Sequence, residues 1–180
     1  DHHLAQTALL MLGDRYSARG DFANAEQAYI TIYTNSLWKA TSAQQHAYLG
    51  AAQSALARRS PSTARERLTT LINDPSCPTN LLAEAFFWLG SAWYDEMPET
   101  RTNLVGNFIE AINAFSKVAQ FAPTHDRTPK AWCLIGQCAL QIAAVDPKYY
   151  ATAATNFVKT LNSTADITWR SRAKVGLANV

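Results

Sequence analysis

Ala8-Leu-Leu-Met-Leu-Gly-Asp-Arg-Tyr16, followed by Gly20-Asp-Phe-Ala-Asn-Ala-Glu-Gln-Ala-Tyr29, is the stretch from which the fold can be read. Ala8, Leu9, Leu12 and Tyr16 recur at helical spacing, and Phe22, Ala25, Tyr29 and Ile32 share one face of a second helix. Between them, Gly20 can end the first helix with a positive φ and Asp21 can cap the second. A turn as short as Arg19-Gly20-Asp21 obliges the two helices to pack antiparallel.

The same signals continue down the chain. Ser42 with Gln45 forms a Ser-x-x-Gln capping box, opening a third helix over 43–58 that carries Leu49, Gly50, Gln53 and Leu56. Ser60-Pro61 restarts a fourth, a serine cap followed by proline at the first helical position. Ala64, Leu68 and Leu71 face inward there, and Asn73-Asp-Pro75 with Pro78 ends it. Thr79 or Asn80 is expected to cap the aromatic fifth helix, with Phe86, Phe87, Trp88, Trp93 and Tyr94. A connection over 95–102, containing Pro98, leads to a sixth helix over 103–121 on Leu104, Phe108, Ala111, Phe115 and Val118, stopped by Pro123. Thr128-Pro129 repeats the cap-then-proline signal before Trp132, Ile135, Gly136 and Leu140. Asp146-Pro147 precedes Tyr150, Ala153, Phe157 and Leu161, and Asp166 caps a ninth helix over 169–180. Trp38 falls in a connection.

Self-similarity ties these helices together. Gly13, Gly50, Gly90, Gly136 and Gly176 each follow an apolar residue, at separations of 37, 40, 46 and 40. After the first four comes an alanine and then a larger apolar residue four positions on: Ala25/Tyr29, Ala64/Leu68, Ala111/Phe115 and Ala153/Phe157. Glycine inside a helix costs about 0.8–1.0 kcal/mol relative to alanine. Its recurrence at one register is therefore expected to mark close helix contact. The pattern resembles the tetratricopeptide repeat (TPR), W-x2-L-G-x2-Y followed by alanine, phenylalanine and proline. Leu12-Gly13, Tyr16, Ala25 and Tyr29 match it in the first repeat. Leu89-Gly90, Trp93, Ala111, Phe115 and Pro123 match it in the third, and Trp132 with Ile135-Gly136 in the fourth.

The resemblance implies an all-α, right-handed α-solenoid of antiparallel helix pairs. It would form a single TPR-like domain over 1–180, with repeats at 4–37, 42–76, 79–124 and 128–163 and a terminal helix at 166–180. Glycine-to-alanine spacing makes the loops within the second, third and fourth helix pairs longer than that in the first by about two, nine and five residues. The array is thus a divergent one, like those of bacterial scaffold and envelope-assembly proteins, which leans localisation toward the periplasm over the cytoplasm. Because periodic sequence runs to both ends, a fragment of a longer protein is expected.

Composition excludes several functions. At 48% hydrophobic and 17% charged residues the chain can bury a core. Its formal charge of +2 is spread without the basic stripe of a nucleic-acid binder, and no apolar run reaches the ~18 residues of a membrane span. Cys77, Cys133 and Cys138 are expected to be small hydrophobes, two of them buried, since no framework spacing links them. His2, His3, His46 and His125 lack paired metal-ligand spacing. With no phosphate loop and no nucleophile elbow, no catalytic residue, cofactor or metal is expected.

Binding is the expected role. In the family the first helix of each pair lines a concave groove. Carried over, that layout assigns Gln44, Tyr48, Glu84, Trp88, Ser91, Tyr94, Asp95, Lys130, Gln137, Arg170 and Lys174 to the groove, with Asp14 and Phe87 beside them. Trp88 and Tyr94 either meet a partner, as flat aromatics do well, or pack between neighbouring pairs; Trp93 is expected in the core. The carboxylate clamp of chaperone-tail-binding members is not matched: Leu10, Asp14, Ala47, Ala51 and Lys130 stand at its places. The function implied is a non-enzymatic scaffold for a peptide or partner helix. Its rivals are a structural spacer or self-associating segment, and the regulatory arm of an enzyme whose catalytic part lies elsewhere.

Overall fold

The computed structural model describes residues 2–38, 41–96 and 101–180, from the backbone alone at 101 and 102. The described residues form helices and no strand: α1 (His2–Ala18), α2 (Phe22–Thr34), a 3-10 turn (Ser36–Trp38), α3 (Ser42–Ala57), α4 (Pro61–Ile72), α5 (Thr79–Tyr94), α6 (Arg101–Phe121), α7 (Thr128–Ala143), α8 (Tyr149–Ser163) and α9 (Ile167–Ala178). Most of the connection expected around Pro98 lies outside the described residues. Two compact units, Asp1–Trp88 and Leu89–Val180, divide the chain inside α5.

In the N-terminal unit α1 packs on α2, α2 on α3 and α3 on α4, and the first helices α1 and α3 also touch. Gly20 takes a φ of +77°, and Asp21 N–H reaches Tyr16 O at 2.9 Å while Gly20 N–H reaches Ser17 O at 3.0 Å. That double closure is a Schellman turn. Asp21 then caps α2, its carboxylate accepting Asn24 N–H at 3.3 Å. An identical closure ends α3 with an arginine in the left-handed position: Arg59 has a φ of 59°, with Ser60 N–H on Ala55 O and Arg59 N–H on Leu56 O, both at 2.9 Å. The core gathers Ala25, Tyr29, Ile32, Trp38, Ala47 and Ala51. Trp38, read from sequence as connection, is buried. Leu12, expected to face inward, is 42% exposed. One position on, Gly13 meets the Tyr29 ring, which turns Leu12 about 100° away.

An ionic pin joins α2 to the two helices that follow. Glu26 is buried, and its carboxylate binds Arg58 at 2.5 Å and Arg67 at 2.6 Å. Arg67 also donates to Ala51 O at 2.9 Å, so one guanidinium ties α4 to both α2 and α3.

In the C-terminal unit α6 packs on α7, α7 on α8 and α8 on α9, with the first helices α7 and α9 in contact. Cys133, Ala139, Ala153, Phe157 and Ala173 form a core against which Ile112, Leu140, Tyr149, Leu161, Trp169 and Leu177 pack. Tyr149, not Tyr150, packs against this core, and Tyr150 is exposed: positions 149, 153 and 157 lie four apart on one face, from which Tyr150 is turned about 100°. Hydroxyls here hook backbone carbonyls. Thr128 donates to Ala122 O at 2.8 Å, and Thr160 donates to Asn156 O at 3.0 Å with Pro129 O at 3.2 Å.

The repeated glycines have one physical use. A Cβ on Gly13 or Gly50 would lie 2.5–2.6 Å from the Tyr29 ring, one on Gly90 2.6 Å from Phe115, and one on Gly136 or Gly176 2.6 or 2.3 Å from Phe157. Carbon atoms do not approach that closely, so the bare backbone of a first helix lies flat on the ring of a second. Tyr29 and Phe157 are each gripped from both sides.

Several caps differ from the sequence expectation. Thr41, not Ser42, caps α3, its hydroxyl accepting Gln44 N–H at 3.1 Å. Gln45 is drawn off to Asp74 and Ser76 at 2.8 and 2.9 Å, so no capping box closes. Ser60 sits at the N-cap of α4 without a side-chain bond. Thr128 lies inside α7 and bonds backward, as above, and Thr79 is already helical, with Leu82 N–H on Pro78 O at 2.9 Å. Asp166 caps α9 as expected, accepting from Thr168 N–H at 2.9 Å and Trp169 N–H at 3.4 Å.

Candidate peptide-binding surfaces

On the N-terminal unit, Gln44 and Tyr48 project from the first turns of α3 into an open pocket of about 370 Å³. Tyr33, Gln45, Thr70, Leu71 and Asp74 complete its lining. Tyr33 and Tyr48 stack with ring centroids 4.2 Å apart and planes 13° from parallel, and Gln44 Nε2 donates to Tyr33 O at 3.3 Å. Burial pushes the Tyr33 hydroxyl pKa up, with neighbouring Arg67 working against it. Hydrogen bonds from the Ser76 hydroxyl, the Gln45 amide and the Ser76 N–H hold the Asp74 carboxyl below the usual carboxylate range. Sequence reasoning named Gln44 and Tyr48 but missed Tyr33 and Asp74, the latter read only as a helix stop.

Farther along the same unit, Trp88 and Glu84 stand one turn apart on α5, and the indole N–H donates to Glu84 Oε2 at 3.2 Å. The Trp88 ring meets Phe87 edge-on at 5.6 Å. Phe87 is buried and belongs to the core, whereas Trp88 is half-buried. Asp14 is exposed and accepts the Tyr29 hydroxyl at 2.7 Å, which gives it a packing duty.

On the C-terminal unit, Tyr94 is half-buried with its ring 6.0 Å from that of buried Phe108. Burial raises its hydroxyl pKa, and the Cys138 side adds to the rise. Ser91 O accepts Asp95 N–H at 2.9 Å, and lost hydration raises the Asp95 carboxyl pKa. Lys130 and Gln137, both on α7, line separate pockets. Lys130 shares a polar one of about 320 Å³ with His125, Asp126, Thr164 and Asp166. Gln137 shares a mostly apolar one of about 360 Å³ with Leu140, Arg172 and Val175. Arg170 donates to Leu161 O and Thr164 O and so closes the end of α8. Arg172, unremarked in the sequence, lies 4.7 Å over the Trp169 ring. Lys174 is exposed and Trp93 half-buried.

All three cysteines are buried, one more than expected. Burial lifts the Cys77 and Cys133 thiols to about 11 and Cys138 higher still, which keeps them protonated and poorly nucleophilic at neutral pH. Among the described residues no group of three or more His, Cys, Asp or Glu could hold a metal ion, and no helix is long and apolar enough to cross a membrane.

Neither a protein-family model nor a curated protein matches the sequence. Solved structures do resemble it. A crystal structure of MamA is 18% identical over 93% of this chain and 91% of that one, with a TM-score of 0.62. A second structure of MamA is 16% identical over 96% and 91%, at 0.52. A thermophilic TPR protein from Thermus thermophilus is 16% identical over 96% and 99%, also at 0.52. The chain therefore has the TPR-type α-solenoid fold, and at such identities the likeness is one of fold.

Proposed function

We propose that this chain is a non-enzymatic protein-interaction module that takes an extended peptide or a partner helix on the first-helix faces of its helix pairs. One observation carries the reading. Trp88 and Tyr94 each rest on a buried phenylalanine while keeping part of the ring at the surface. Large aromatics held this way lose little entropy when a partner covers them. The fold adds support, since helical repeats commonly present such surfaces.

Selection of a displayed peptide library on the chain supplies a ligand, and Trp88→Ala and Tyr94→Ala then test the surface of each unit separately. Each is expected to cost about 2 kcal/mol, roughly thirty-fold in Kd, with the far-ultraviolet circular dichroism unchanged. Loss of helicity in these variants would assign both rings to the core and remove the proposal.

Self-association is the second reading. Leu4, Met11 and Leu12 leave an apolar strip exposed on α1. Sedimentation at micromolar concentration separates the two, because a self-associating segment shifts its weight-average mass with concentration.

A further inference from the structure

The pocket that holds Gln44 and Tyr48 has the chemistry of a cation receptor. We infer that this pocket, between the last turns of α2 and α4 and the first turns of α3, receives an arginine side chain of a partner peptide; the inference rests on the interaction-module reading above.

Charge is the first argument. Among the described residues Asp74 is the only carboxylate lining the pocket, and no lysine or arginine is among its lining side chains. Its Oδ1 accepts Ser76 N–H at 2.9 Å and the Ser76 hydroxyl at 2.7 Å, while among the described residues its Oδ2 accepts the Gln45 amide alone, at 2.8 Å. A carboxylate has about four acceptor sites, so Oδ2 retains one for an incoming N–H. These donors also keep the group ionised. Arg67, which bears on Tyr33 by charge and a hydrogen bond, is also held by buried Glu26 and by Ala51 O.

Helix ends give the second argument. Tyr33 lies in the last turn of α2, and Thr70 and Leu71 lie in the last turn of α4. Both ends carry the negative pole of a helix dipole, which favours cations. The opposing positive end of α3 is already capped by Thr41.

Shape selects arginine over lysine. The stacked Tyr33 and Tyr48 rings offer a flat aromatic wall, on which a planar guanidinium can lie while its edge donates to a carboxylate. An ammonium matches the charge but not the plane.

The test titrates acetyl-Gly-Arg-Gly-amide into the isotope-labelled full chain, followed by amide shifts, beside the same peptide with citrulline, neutral and nearly isosteric. Shifts are expected at Gln44, Gln45, Tyr48 and Thr70, with the arginine peptide about ten-fold tighter than the citrulline one, as a charge-assisted bond requires. Asp74→Asn should abolish the preference. Thr70→Lys adds a competing cation at a helix end that favours one, so it should weaken binding while the chain stays folded. Equal binding of the two peptides, absence of shifts, shifts mapping elsewhere, or undiminished binding by Thr70→Lys would overturn the inference. Capture of a selected peptide through Trp88 is measured separately. Failure of the arginine preference alone removes the pocket's role, and failure of that capture removes the module reading.

Discussion

Tyr29 and Phe157 occupy the same place in their respective units, and their surroundings differ in kind. Each ring lies between two helical glycines, Gly13 and Gly50 around Tyr29, Gly136 and Gly176 around Phe157. Tyr29 carries a hydroxyl that must be satisfied, and Asp14 accepts it at 2.7 Å; Phe157 carries none. The contrast extends outward. In the N-terminal unit a buried carboxylate, Glu26, binds two arginines. In the C-terminal unit the cross-links described above run from Thr128, Thr160 and Arg170 to main-chain carbonyls. One steric device thus serves with two electrostatic solutions: shape sets the repeat, and the polar groups around it are free to vary.

Breaking the ionic pin tests that contrast most severely. Glu26→Ala leaves Arg67, which is only 12% exposed at its side chain, without its partner. The expected loss is about 3 kcal/mol, read from urea denaturation. Arg58→Ala should cost under about 1 kcal/mol, because its side chain is 49% exposed and solvent already screens the pair. Equal costs for the two would mean that the pin does not depend on burial. Next in size, Gly90→Leu forces a side chain into the Phe115 ring and should cost roughly 1–3 kcal/mol by overpacking. An unchanged melting temperature would sink the steric half of the comparison. Smallest, Tyr29→Phe gives the N-terminal clamp the chemistry of the C-terminal one. It should lose about 0.5–1.5 kcal/mol, and a gain in stability instead would show that the Asp14 bond does not offset its desolvation.

Much of this architecture was legible in the sequence. Helix number, the glycine register and the paired aromatics depend on local spacing, which a single chain displays. Capping was less so. Thr41 and Ser42 are adjacent hydroxyls and either could cap α3; the choice fell with Gln45, whose amide is claimed by Asp74, 29 residues away. Leu12 was misjudged because periodicity marks a face without saying which member of it meets a neighbouring ring. The candidate surfaces show the same limit. Tyr48 could be named from its helix face. Its stacking partner Tyr33 arrives from α2 across a connection, and no spacing between positions 33 and 48 announces a stack. Arg170 was assigned to the groove from its helix face, and its guanidinium also donates to a carbonyl of the preceding helix, a contact that composition does not signal.

The two-sided grip on Tyr29 has a consequence for modularity. Read along the chain, a repeat begins with a first helix and ends with a second, so Tyr29 belongs to one repeat and Gly50 to the next. Cutting or splicing at that boundary would halve a clamp and leave the ring with one bare wall. The interchangeable block is instead a second helix with the first helices on both its flanks, overlapping its neighbour by one helix. Grafts that respect this overlapping frame keep every glycine against its ring. Those that follow the sequence repeat must rebuild a seam at each join.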